Sequence, residues 1–516
     1  MHSQGSYDLV VIGAGPNGLS LAVNMAKEGY RVVVVDRGST VGGQAISEES
    51  LLPGFLIHPH ANYLSYTDIL RSQSFASRGA MLVPAIKPVA QHGLCFRDGR
   101  PPVIIYRTDH TARTFKSFAC YSTSDARTFE RCKRTADKLT ETLSQLYFRV
   151  PDAARWSIYL AELASKFRFA VDKNEFDKLS ARAIIDRLFE SDEIRTLLYL
   201  TTIEFSIDLD EAGGAGGFLG YALWLLGRRR LPRAGMGTVS RALATAAEAC
   251  GAEIILKRSV RKIVVEEGSV QGVLLDDDTL IAAPIVASAV PYDAMLGMLD
   301  EQWSKNAEDR SALANYERAE ARLVGSFAAC LRGVPRYKSG AFNRDIDECA
   351  QTFVGLDSTA EVIEREFELS AGRLPAPSGA IRVNSLWDSS QAPQGKHVAG
   401  ADCAFPGRLG ETYCAEIERA YPQAFATTWA TYAPNIEELI EAQKLHLSRA
   451  NSRKLVLREG DAQYRGPARG LYLCGSSTYP GGGVHGACGI NAFQVILSDS
   501  KSDAAISTLR FAKPSR

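Results

Sequence analysis

A run of apolar residues near the start of the chain, 9–12, is followed by glycines and then by apolar positions at helical spacing between residues 19 and 26. A short uninterrupted apolar run is typical of a buried parallel strand, and the spacing after it predicts a helix packed on that strand. A second predicted strand, 31–35, is apolar after Arg31 and is followed by Asp36. The order strand, helix, strand predicts a βαβ unit at the N-terminus.

The glycines between the first strand and the helix are Gly13, Gly15 and Gly18, which have Gly-x-Gly-x-x-Gly spacing. In such a unit the first glycine allows a tight turn, the second lets a pyrophosphate approach the backbone, and the third lets helix and strand pack closely. Free N–H groups and the positive end of the helix dipole then face the phosphates. Asp36 can accept hydrogen bonds from ribose hydroxyls, which favours FAD or NAD over NADP.

The middle of the chain has a helical pattern. Apolar positions in 124–150 recur at spacings of three and four, with Ser124 or Asp125 as possible caps, and similar patterns continue to about residue 205. The glycines of 213–217 predict a flexible joint. The apolar stretch 218–226, before three arginines, has three interpretations: a buried helix, a wall of an apolar substrate tunnel, or a patch that touches a membrane.

The second half alternates between strand and helix patterns. A helix is expected after residues 235–237, with Thr238 as its N-cap and Gly251 after its end. The other expected elements are strands at 257–265, 270–275, 285–290, 327–331 and 471–474, and helices at 412–432, 436–447 and 490–497. The last strand meets a second glycine loop, 475–489. A helix N-terminus there can stabilise partial negative charge.

These patterns predict an α/β protein with a Rossmann-like nucleotide-binding domain and an interleaved α+β substrate domain. The expected nucleotide-binding segments are 1–110, 235–305 and 460–516. The expected substrate-domain segments are 111–234, which contains the helical insertion, and 306–459. In this arrangement the chain leaves the nucleotide-binding domain twice and returns to it at the C-terminus.

Composition narrows the functional classes. Across 516 residues, 59 Lys and Arg balance 59 Asp and Glu, so no net charge attracts nucleic acid. The ten cysteines are scattered without a Cys-x-x-Cys pair, which argues against a disulphide reductase and suggests a cytoplasmic, reducing location. No signal peptide is expected, and the longest apolar run is about half the roughly 20 residues that span a bilayer. Peripheral membrane contact is kept as a possibility.

His58 and His60 flank a proline, in a segment that is expected to be extended. Two histidines at that spacing could ligate a metal, but no Asp, Glu or Cys partner is evident nearby. A structural or cofactor-adjacent role is the alternative, and no metal site is predicted.

Several motifs together resemble the phytoene-desaturase-like flavoproteins. They are the Gly13 loop, the pair Gly42 and Gly43 after Val41, the helix start at 235–237, the segment 386–398 (LWDSSQAPQGKHV) and the loop 475–489. This family is part of the broader amine-oxidase and glutathione-reductase type of FAD fold. The resemblance spans nearly the whole chain. It implies non-covalent FAD, a two-domain plan, and oxidation or isomerisation of carbon–carbon bonds in apolar small molecules.

The resemblance also implies a set of cofactor-binding residues. The expected pyrophosphate loop is Gly13, Gly15, Pro16, Asn17 and Gly18, and the adenosine is expected at Asp36, Arg37 and Val260. The path to the flavin is expected along Gly42, Gly43, Gln44 and Ala45. The ribityl chain or pyrophosphate is expected at Gly475 and Ser476, and the isoalloxazine edge at Val484, His485, Gly486 and Ala487. Related proteins often carry other residues at positions 44, 476 and 485. The immediate environment of the flavin ring is therefore particular to this chain.

Hydride transfer from a substrate C–H bond to flavin N5 is the main functional hypothesis. His60, Tyr63 and His485 are candidates for a catalytic base because they are expected near the flavin, and histidine titrates in a suitable range. Three alternatives use the same fold: an oxidase of amines or amino acids, an isomerase that uses reduced flavin, and a non-enzymatic module that binds lipidated partners without FAD. Asp36 and the glycine loops argue against the last.

Overall fold

The computed structural model describes residues 3–4, 7–65, 83–304, 322–407, 409–448 and 460–511. The predicted boundaries at 305–306 and 459 lie outside these residues. The strands of the described chain are β1 (Ser3–Gln4), β2 (Leu9–Ile12), β3 (Val32–Val35), β4 (Ala85–Ile86), β5 (Ala90–Leu94), β6 (Val103–Tyr106), β7 (Leu231–Pro232), β8 (Glu253–Ile255), β9 (Val260–Glu266), β10 (Ser269–Leu275), β11 (Leu280–Ala282), β12 (Ile285–Ser288), β13 (Arg322–Leu331), β14 (Thr352–Val354), β15 (Gly379–Arg382), β16 (His397–Pro406), β17 (Ile440–Ser448) and β18 (Leu471–Leu473).

The helices of the same residues fall between these strands. They are α1 (Pro16–Lys27), α2 (Thr111–Ala119), α3 (Thr123–Asp137), α4 (Thr140–Tyr147), α5 (Ala153–Lys166), α6 (Ala181–Leu188), α7 (Asp192–Glu204), α8 (Gly214–Gly216), α9 (Leu223–Leu225), α10 (Gly237–Ala249), α11 (Tyr292–Leu296), α12 (Glu301–Ser304), α13 (Thr359–Ser370), α14 (Glu411–Tyr432), α15 (Ile436–Leu439) and α16 (Ala487–Phe511). A π-helical segment, Gly217–Ala222, joins α8 to α9.

A parallel sheet forms the nucleotide-binding half of the described chain, with strand order β18-β12-β2-β3-β8. All four residues of β2 are buried because each face of the sheet is covered. Leu9 and Val11 pack into the core that contains α1, α10 and α16, whereas Val10 and Ile12 pack against the small sheet β1-β11-β10-β9. This confirms the Rossmann-like expectation and places the C-terminal strand beside the first βαβ unit.

The substrate half is built on a second sheet, with strand order β17-β13-β16-β15-β14-β5-β6 among the described residues. It is antiparallel except where β14 pairs with β5. Phe327 on β13 packs against Phe425 on α14, with ring centres 4.8 Å apart. β5 and β6 belong to this sheet, although the sequence interpretation assigned residues up to 110 to the nucleotide-binding domain.

The predicted helix at 436–447 is wrong, because the chain forms only the short α15 there and then the strand β17. β17 pairs along its length with β13, with Leu445 opposite Phe327, and Leu445 is buried. Its glutamate, glutamine and lysine residues favour a helix locally. Long-range strand pairing overrides that preference.

The helical insertion also differs from its prediction in detail. The expected helix over 124–150 is divided into α3 and α4, because the chain turns after Asp137, which binds Lys133 and Arg228. The N-cap of α3 is Ser122, whose Oγ accepts from the Asp125 N–H at 3.0 Å, rather than Ser124 or Asp125. Asp125 instead accepts from the backbone of Glu190 and of the residue after it.

The glycines at 214–217 form part of a helix rather than a joint, and Gly213 precedes this helix with a φ of +84°. Just beyond them, position 220 requires a glycine because the helix is closely packed there. A Cβ atom on Gly220 would lie 2.3 Å from Tyr159 Oη. Residues 218–226 are all buried except Tyr221, which is half-buried. The buried-helix interpretation is therefore correct and the membrane-patch interpretation of this stretch is wrong. No helix within the described residues is both long and apolar enough to cross a membrane.

Two smaller predictions concern the ends of elements. Thr238 is not an N-cap, because it lies inside α10 and its Oγ1 donates to the Gly235 carbonyl at 2.6 Å. Gly251 does follow the end of α10 with a φ of +94°, as expected.

Candidate functional site

The loop after β2 has the geometry that an approaching pyrophosphate requires. Gly13 has a φ of +104°, and its N–H donates to Val35 C=O at 2.8 Å. A Cβ atom on Gly18 would lie 2.2 Å from the Gly13 carbonyl oxygen, so this glycine lets α1 pack on β2. A Cβ atom on Gly15 would meet nothing within 4 Å. The backbone geometry therefore fits the separate roles predicted for the three glycines.

Asp36 is held in place by the backbone on both sides of its carboxylate. Its Oδ2 accepts from the Ala14 N–H and its Oδ1 from the Gly38 N–H, each at 2.7 Å. Each oxygen has a second lone pair that can accept from a ribose hydroxyl. The N–H of Arg258 donates to the Asp36 carbonyl at 3.1 Å. Val260 lies two residues after Arg258 along the chain. Arg37 is exposed at the same edge.

The Gly42–Gly43 pair lies against the first loop. Gly42 N–H donates to the Ala14 carbonyl at 2.9 Å, and both glycines have positive φ. A Cβ atom on Gly43 would lie 3.4 Å from Gly15 Cα. This backbone faces the same open space as Gly15, and a side chain at position 43 would narrow it.

The segment after this pair leads toward the substrate domain. Ala45 is buried, and its carbonyl accepts from Ser240 Oγ on α10 at 2.8 Å. Gln44 is exposed, and its carbonyl accepts from the Ala61 N–H at 3.2 Å. Residues 60–63 therefore run beside the predicted flavin path.

The C-terminal glycine loop lies next to the N-terminal one. Ala289, directly after β12, donates its N–H to Ile12 C=O at 2.8 Å, and a Cβ atom on Gly475 would lie 2.5 Å from the Ala289 carbonyl oxygen. A Cβ atom on Gly489 would lie 2.0 Å from the Asn17 carbonyl oxygen, so α16 packs directly on the first turn of α1. Two loops far apart in sequence are thus brought side by side.

The groups present fit a dinucleotide. Open space lies in front of Gly15 at a helix N-terminus, which is a ready site for phosphate. The buried Oδ1 of Asn17 has no hydrogen-bond partner among the described residues, so it is available to accept from a ligand hydroxyl. Ser476 and Val484 are half-buried in the adjoining loop, and Gly486 and Ala487 are buried.

His485 is engaged by backbone groups. Its Nδ1 accepts from the Ala487 N–H at 3.0 Å, and its Nε2 lies 3.2 Å from the Gly482 carbonyl, to which it can donate. This arrangement suits a neutral ring that caps α16. His485 is 1% exposed and meets Tyr147 edge to face at 5.7 Å. The geometry favours a positioning role over the predicted role as a base, which stays a prediction.

Tyr63 belongs to a buried ionic network that the sequence did not reveal. Its hydroxyl donates to Glu204 Oε1 at 2.9 Å, and the Arg229 guanidinium carbon lies 3.8 Å from its ring centre. Arg229 is 1% exposed, forms an ion pair with Glu204, and donates to Gln351 Oε1 at 2.5 Å. Gln351 Nε2 donates to Glu204 Oε2 at 2.8 Å. Segments from both domains and the helical insertion thus meet at Tyr63.

His92 on β5 is buried beside this network. Its Nε2 accepts from Arg229 Nε at 3.4 Å, and its Nδ1 has no partner among the described residues. Burial first, and then the positive charges of Arg229 and Lys133, hold the pKa of His92 well below its usual value. Protonation would place two buried cations in contact, so the folded protein favours the neutral ring.

Because of His92, we expect the protein to become less stable as the pH is lowered. The unfolded chain binds a proton at His92 below about pH 6.5, whereas the folded protein does not, so the free energy of unfolding decreases as the pH falls through that value. Thermal melts between about pH 7 and pH 5 should show this decrease, and His92→Leu should make it shallower. An equally steep decrease in the variant would assign it to other groups.

The other two histidines that the sequence singled out, His58 and His60, do not share a site. His58 Nδ1 meets Ser47 Oγ and its Nε2 meets Gln391 Oε1, each at 2.9 Å, so His58 ties the two domains together. Burial lowers the pKa of His58 and of His60. For His60, the nearby His446 acts in the same direction. Among the described residues, no group of three metal-ligating side chains forms around them.

Comparisons with known proteins define the class. The family model for NAD(P)-binding Rossmann-like domains matches residues 11–68. Among solved structures, putrescine oxidase has the same fold, with a TM-score of 0.58 and 15% identity, over 97% of this chain and 100% of that one. Together with the curated relatives described next, these findings indicate an oxidoreductase that is similar to the FAD-dependent desaturases and amine oxidases.

Several curated relatives match almost the whole chain, and two of them are described here. Pyridine nucleotide-disulfide oxidoreductase domain-containing protein 2 of Rattus norvegicus is 25% identical, over 96% of this chain and 94% of its own length. A limonene dehydrogenase subunit of Castellaniella defragrans is 24% identical, over 95% of this chain and 94% of its own length. The resemblance to desaturase-like flavoproteins is thereby confirmed.

Proposed function

We propose that this chain binds FAD non-covalently and oxidises a largely apolar small molecule by transferring a hydride from a substrate C–H bond to flavin N5. The observation that carries the proposal is the packing of α16 on the first turn of α1, which sets the two glycine loops side by side. FAD supplies the hydride acceptor, and the protein binds, orients and shields the reactants.

The binding residues divide along the cofactor. The open space at Gly15 and the N-terminus of α1 suit the pyrophosphate, and the fixed carboxylate of Asp36 suits the ribose of the adenosine. The backbone around Gly43 and the loop from Gly475 to Ala487 suit the flavin half. His485, by capping α16, keeps the N–H groups of that loop in a fixed orientation.

An apolar substrate is supported by the aromatic side chains around the C-terminal loop. The Tyr147 ring centre lies 6.1 Å from that of Tyr221 and 6.4 Å from that of Tyr479. Tyr479 in turn lies 6.0 Å from Trp156, which is 37% exposed on α5. These rings lead from His485 to the protein surface. Their ring faces offer apolar contact area, with the tyrosine hydroxyls and the indole N–H at the ring edges.

Tyr63 is the candidate whose contacts best suit proton transfer. Its hydroxyl already donates to a carboxylate, that of Glu204, and the Arg229 guanidinium fixes the position of the ring. A proton taken from substrate by the phenol oxygen would have an acceptor within hydrogen-bond distance.

The test is spectroscopy of the purified protein. We expect a yellow protein that releases equimolar FAD on denaturation, and whose flavin band bleaches when apolar alkenes or fatty acids are added without oxygen. Bleaching by amines, with hydrogen peroxide on admission of air, would instead identify an amine oxidase. Rearrangement of an alkene with unchanged flavin would identify an isomerase. A colourless protein that takes up no added FAD would overturn the proposal and favour a binding module.

A further inference from the structure

His58 is part of a chain of hydrogen bonds that joins segments far apart in sequence. Its Nδ1 meets Ser47 Oγ and its Nε2 meets Gln391 Oε1, each at 2.9 Å. Ser47 Oγ also accepts from the Gly237 N–H at 3.0 Å. Gln391 Nε2 donates to Asp388 Oδ2 at 3.1 Å. These contacts connect the start of α10, through the histidine, to the segment that precedes β16.

The two ends of this chain of contacts lie close together in sequence. Asp388 Oδ2 also accepts from the Ala234 N–H at 2.6 Å, and Ala234 precedes Gly237 by three positions. The contacts therefore close into a ring, which we call the His58 ring. Its members are His58, Ser47, Gly237, Ala234, Asp388 and Gln391.

The backbone packs tightly against this ring. A Cβ atom on Gly235 would lie 2.2 Å from His58 Cε1 and 2.6 Å from Ser47 Oγ, so position 235 requires a glycine. The helix start at 235–237 and the segment 386–398 are two of the motifs that resemble the desaturase-like family. In the structure they belong to one hydrogen-bonded unit.

Asp388 sets the direction of the hydrogen bonds in the ring. Burial raises the pKa of Asp388, but the hydrogen bonds that it accepts outweigh this and lower the pKa overall, so the group is a carboxylate. A carboxylate only accepts, so Gln391 presents Nε2 to it and Oε1 to His58. His58 Nε2 therefore carries a proton. In neutral His58 the Nδ1 atom is then the acceptor, and Ser47 Oγ donates to it.

The ring holds one end of the segment 42–47, along which the path to the flavin is expected. At the other end of this segment, the Gly42 N–H donates to the Ala14 carbonyl at 2.9 Å. If the ring opens, Ser47 loses its contacts with α10 and with His58. The segment is then less firmly held beside the first glycine loop.

Charged groups lie near His58 on two sides. Arg382 on β15 lines a small cavity together with His58. Glu48, and Lys444 and His446 on β17, line a second small cavity together with it. Lys444 and Glu48 form an ion pair at 3.7 Å. The nearest unshared influence of one sign therefore has to be read from the pKa of His58 itself.

The pKa of His58 is lower than that of an exposed histidine. Burial is the largest cause, and the positive charge of Arg382 adds to it. Gln391, the Ile46 carbonyl and the charge of Asp388 act in the opposite direction but do not outweigh burial. Protonation also places a hydrogen on Nδ1, where the serine hydroxyl donates in the closed ring. The closed ring therefore disfavours the charged imidazole.

We propose that the His58 ring is a pH-sensitive switch, which holds the flavin path in place while His58 is neutral and opens when His58 takes up a proton, so that FAD binds less tightly in acid. His58 is then a positioning residue for the cofactor. This inference rests on the proposed function, because it takes FAD to lie along 42–47. It goes beyond that function in naming how the site is regulated.

Titration of the apoprotein with FAD at about pH 7.5 and about pH 5.5 tests the switch. We expect the dissociation constant of the wild-type protein to rise about tenfold at the lower pH, because an exposed histidine is then about nine-tenths protonated and only the neutral fraction closes the ring. The titrations are made at a temperature where melting curves show a folded apoprotein at both pH values. This precaution is needed because His92 is expected to lower the stability in acid.

Two variants assign the effect to the ring. In His58→Gln the side chain is neutral at every pH and can still donate to Gln391, so the two dissociation constants should agree within about twofold. Ser47→Ala removes the donor to His58 and the acceptor of the Gly237 N–H. It should raise the dissociation constant about tenfold already at the higher pH.

His397→Gln is the matched control. Burial lowers the pKa of His397 as well, and its Nδ1 also meets a serine hydroxyl, that of Ser385, at 3.2 Å. Both residues lie in the substrate half, outside the His58 ring. The variant should therefore keep the full acid response of the wild-type protein.

Equal FAD affinity of the wild-type protein at the two pH values would overturn the inference, and this result does not depend on whether any variant folds. An undiminished acid response in His58→Gln would overturn it too, as would wild-type affinity in Ser47→Ala at the higher pH. Failure of the proposed function is distinguishable from these results, because that protein takes up no FAD at either pH.

Discussion

Replacing Gly15 with alanine is expected to leave the protein folded and to remove most of its affinity for FAD. Gly15 has an ordinary φ of −76°, and a Cβ atom there would meet no protein atom within 4 Å. The added methyl group therefore costs the folded chain little, but it occupies the space that the pyrophosphate needs. We expect the dissociation constant for FAD to rise roughly a hundredfold, which corresponds to about 2.7 kcal/mol.

Two further alanine variants act as controls for this result. Gly410→Ala adds a methyl group to another site with open space and an ordinary φ of −65°, and should change neither melting temperature nor FAD affinity. Gly18→Ala should instead destabilise the apoprotein, by about 1–3 kcal/mol or more, because its Cβ atom would collide with the Gly13 carbonyl oxygen. FAD titration and melting of each apoprotein separate the two effects. Unchanged FAD affinity in Gly15→Ala would place the cofactor elsewhere.

The nucleotide-binding half of the fold was predictable because its signals are local. Gly13, Gly15 and Gly18 have roles set by a single turn, and Asp36 follows directly from the end of an apolar strand. The resemblance of 475–489 to a flavin-contacting loop predicts that the second half of the site lies there. The parallel sheet then required β18 to lie close to β2, and the structure confirms that β12 alone separates them.

The substrate half was less predictable because its elements depend on distant partners. The strand at 440–448 has helix-favouring residues and becomes a strand only through pairing with β13. Tyr63 and Glu204 are 141 positions apart, and the sequence around either residue does not indicate that the two are in contact. The one available signal was Arg229, the middle residue of three arginines that follow the apolar stretch 218–226 after Gly227. Its burial implies a carboxylate partner, but not which one.

The buried ion pair of Arg229 and Glu204 leads to the largest stability effect that we expect. In Glu204→Ala, the guanidinium of Arg229, which is 1% exposed, loses its carboxylate partner, whose own side chain is 14% exposed. The free energy of unfolding should fall by about 3–5 kcal/mol, the usual cost of breaking a buried pair from one side. Denaturant unfolding, followed by the intrinsic fluorescence of the apoprotein, measures it.

The exposed ion pair of Arg187 and Glu175 in the same helical insertion provides a matched control. Its N–O distance is 2.8 Å, and its side chains are 44% and 48% exposed, so Glu175→Ala should cost no more than about 1 kcal/mol. The double variant Glu204→Leu with Arg229→Met should recover part of the loss, because no buried charge is then left without a partner. If Glu204→Ala costs no more than Glu175→Ala, the network is open to water. Tyr63 would then lack the rigid, desolvated surroundings on which its proposed proton transfer depends.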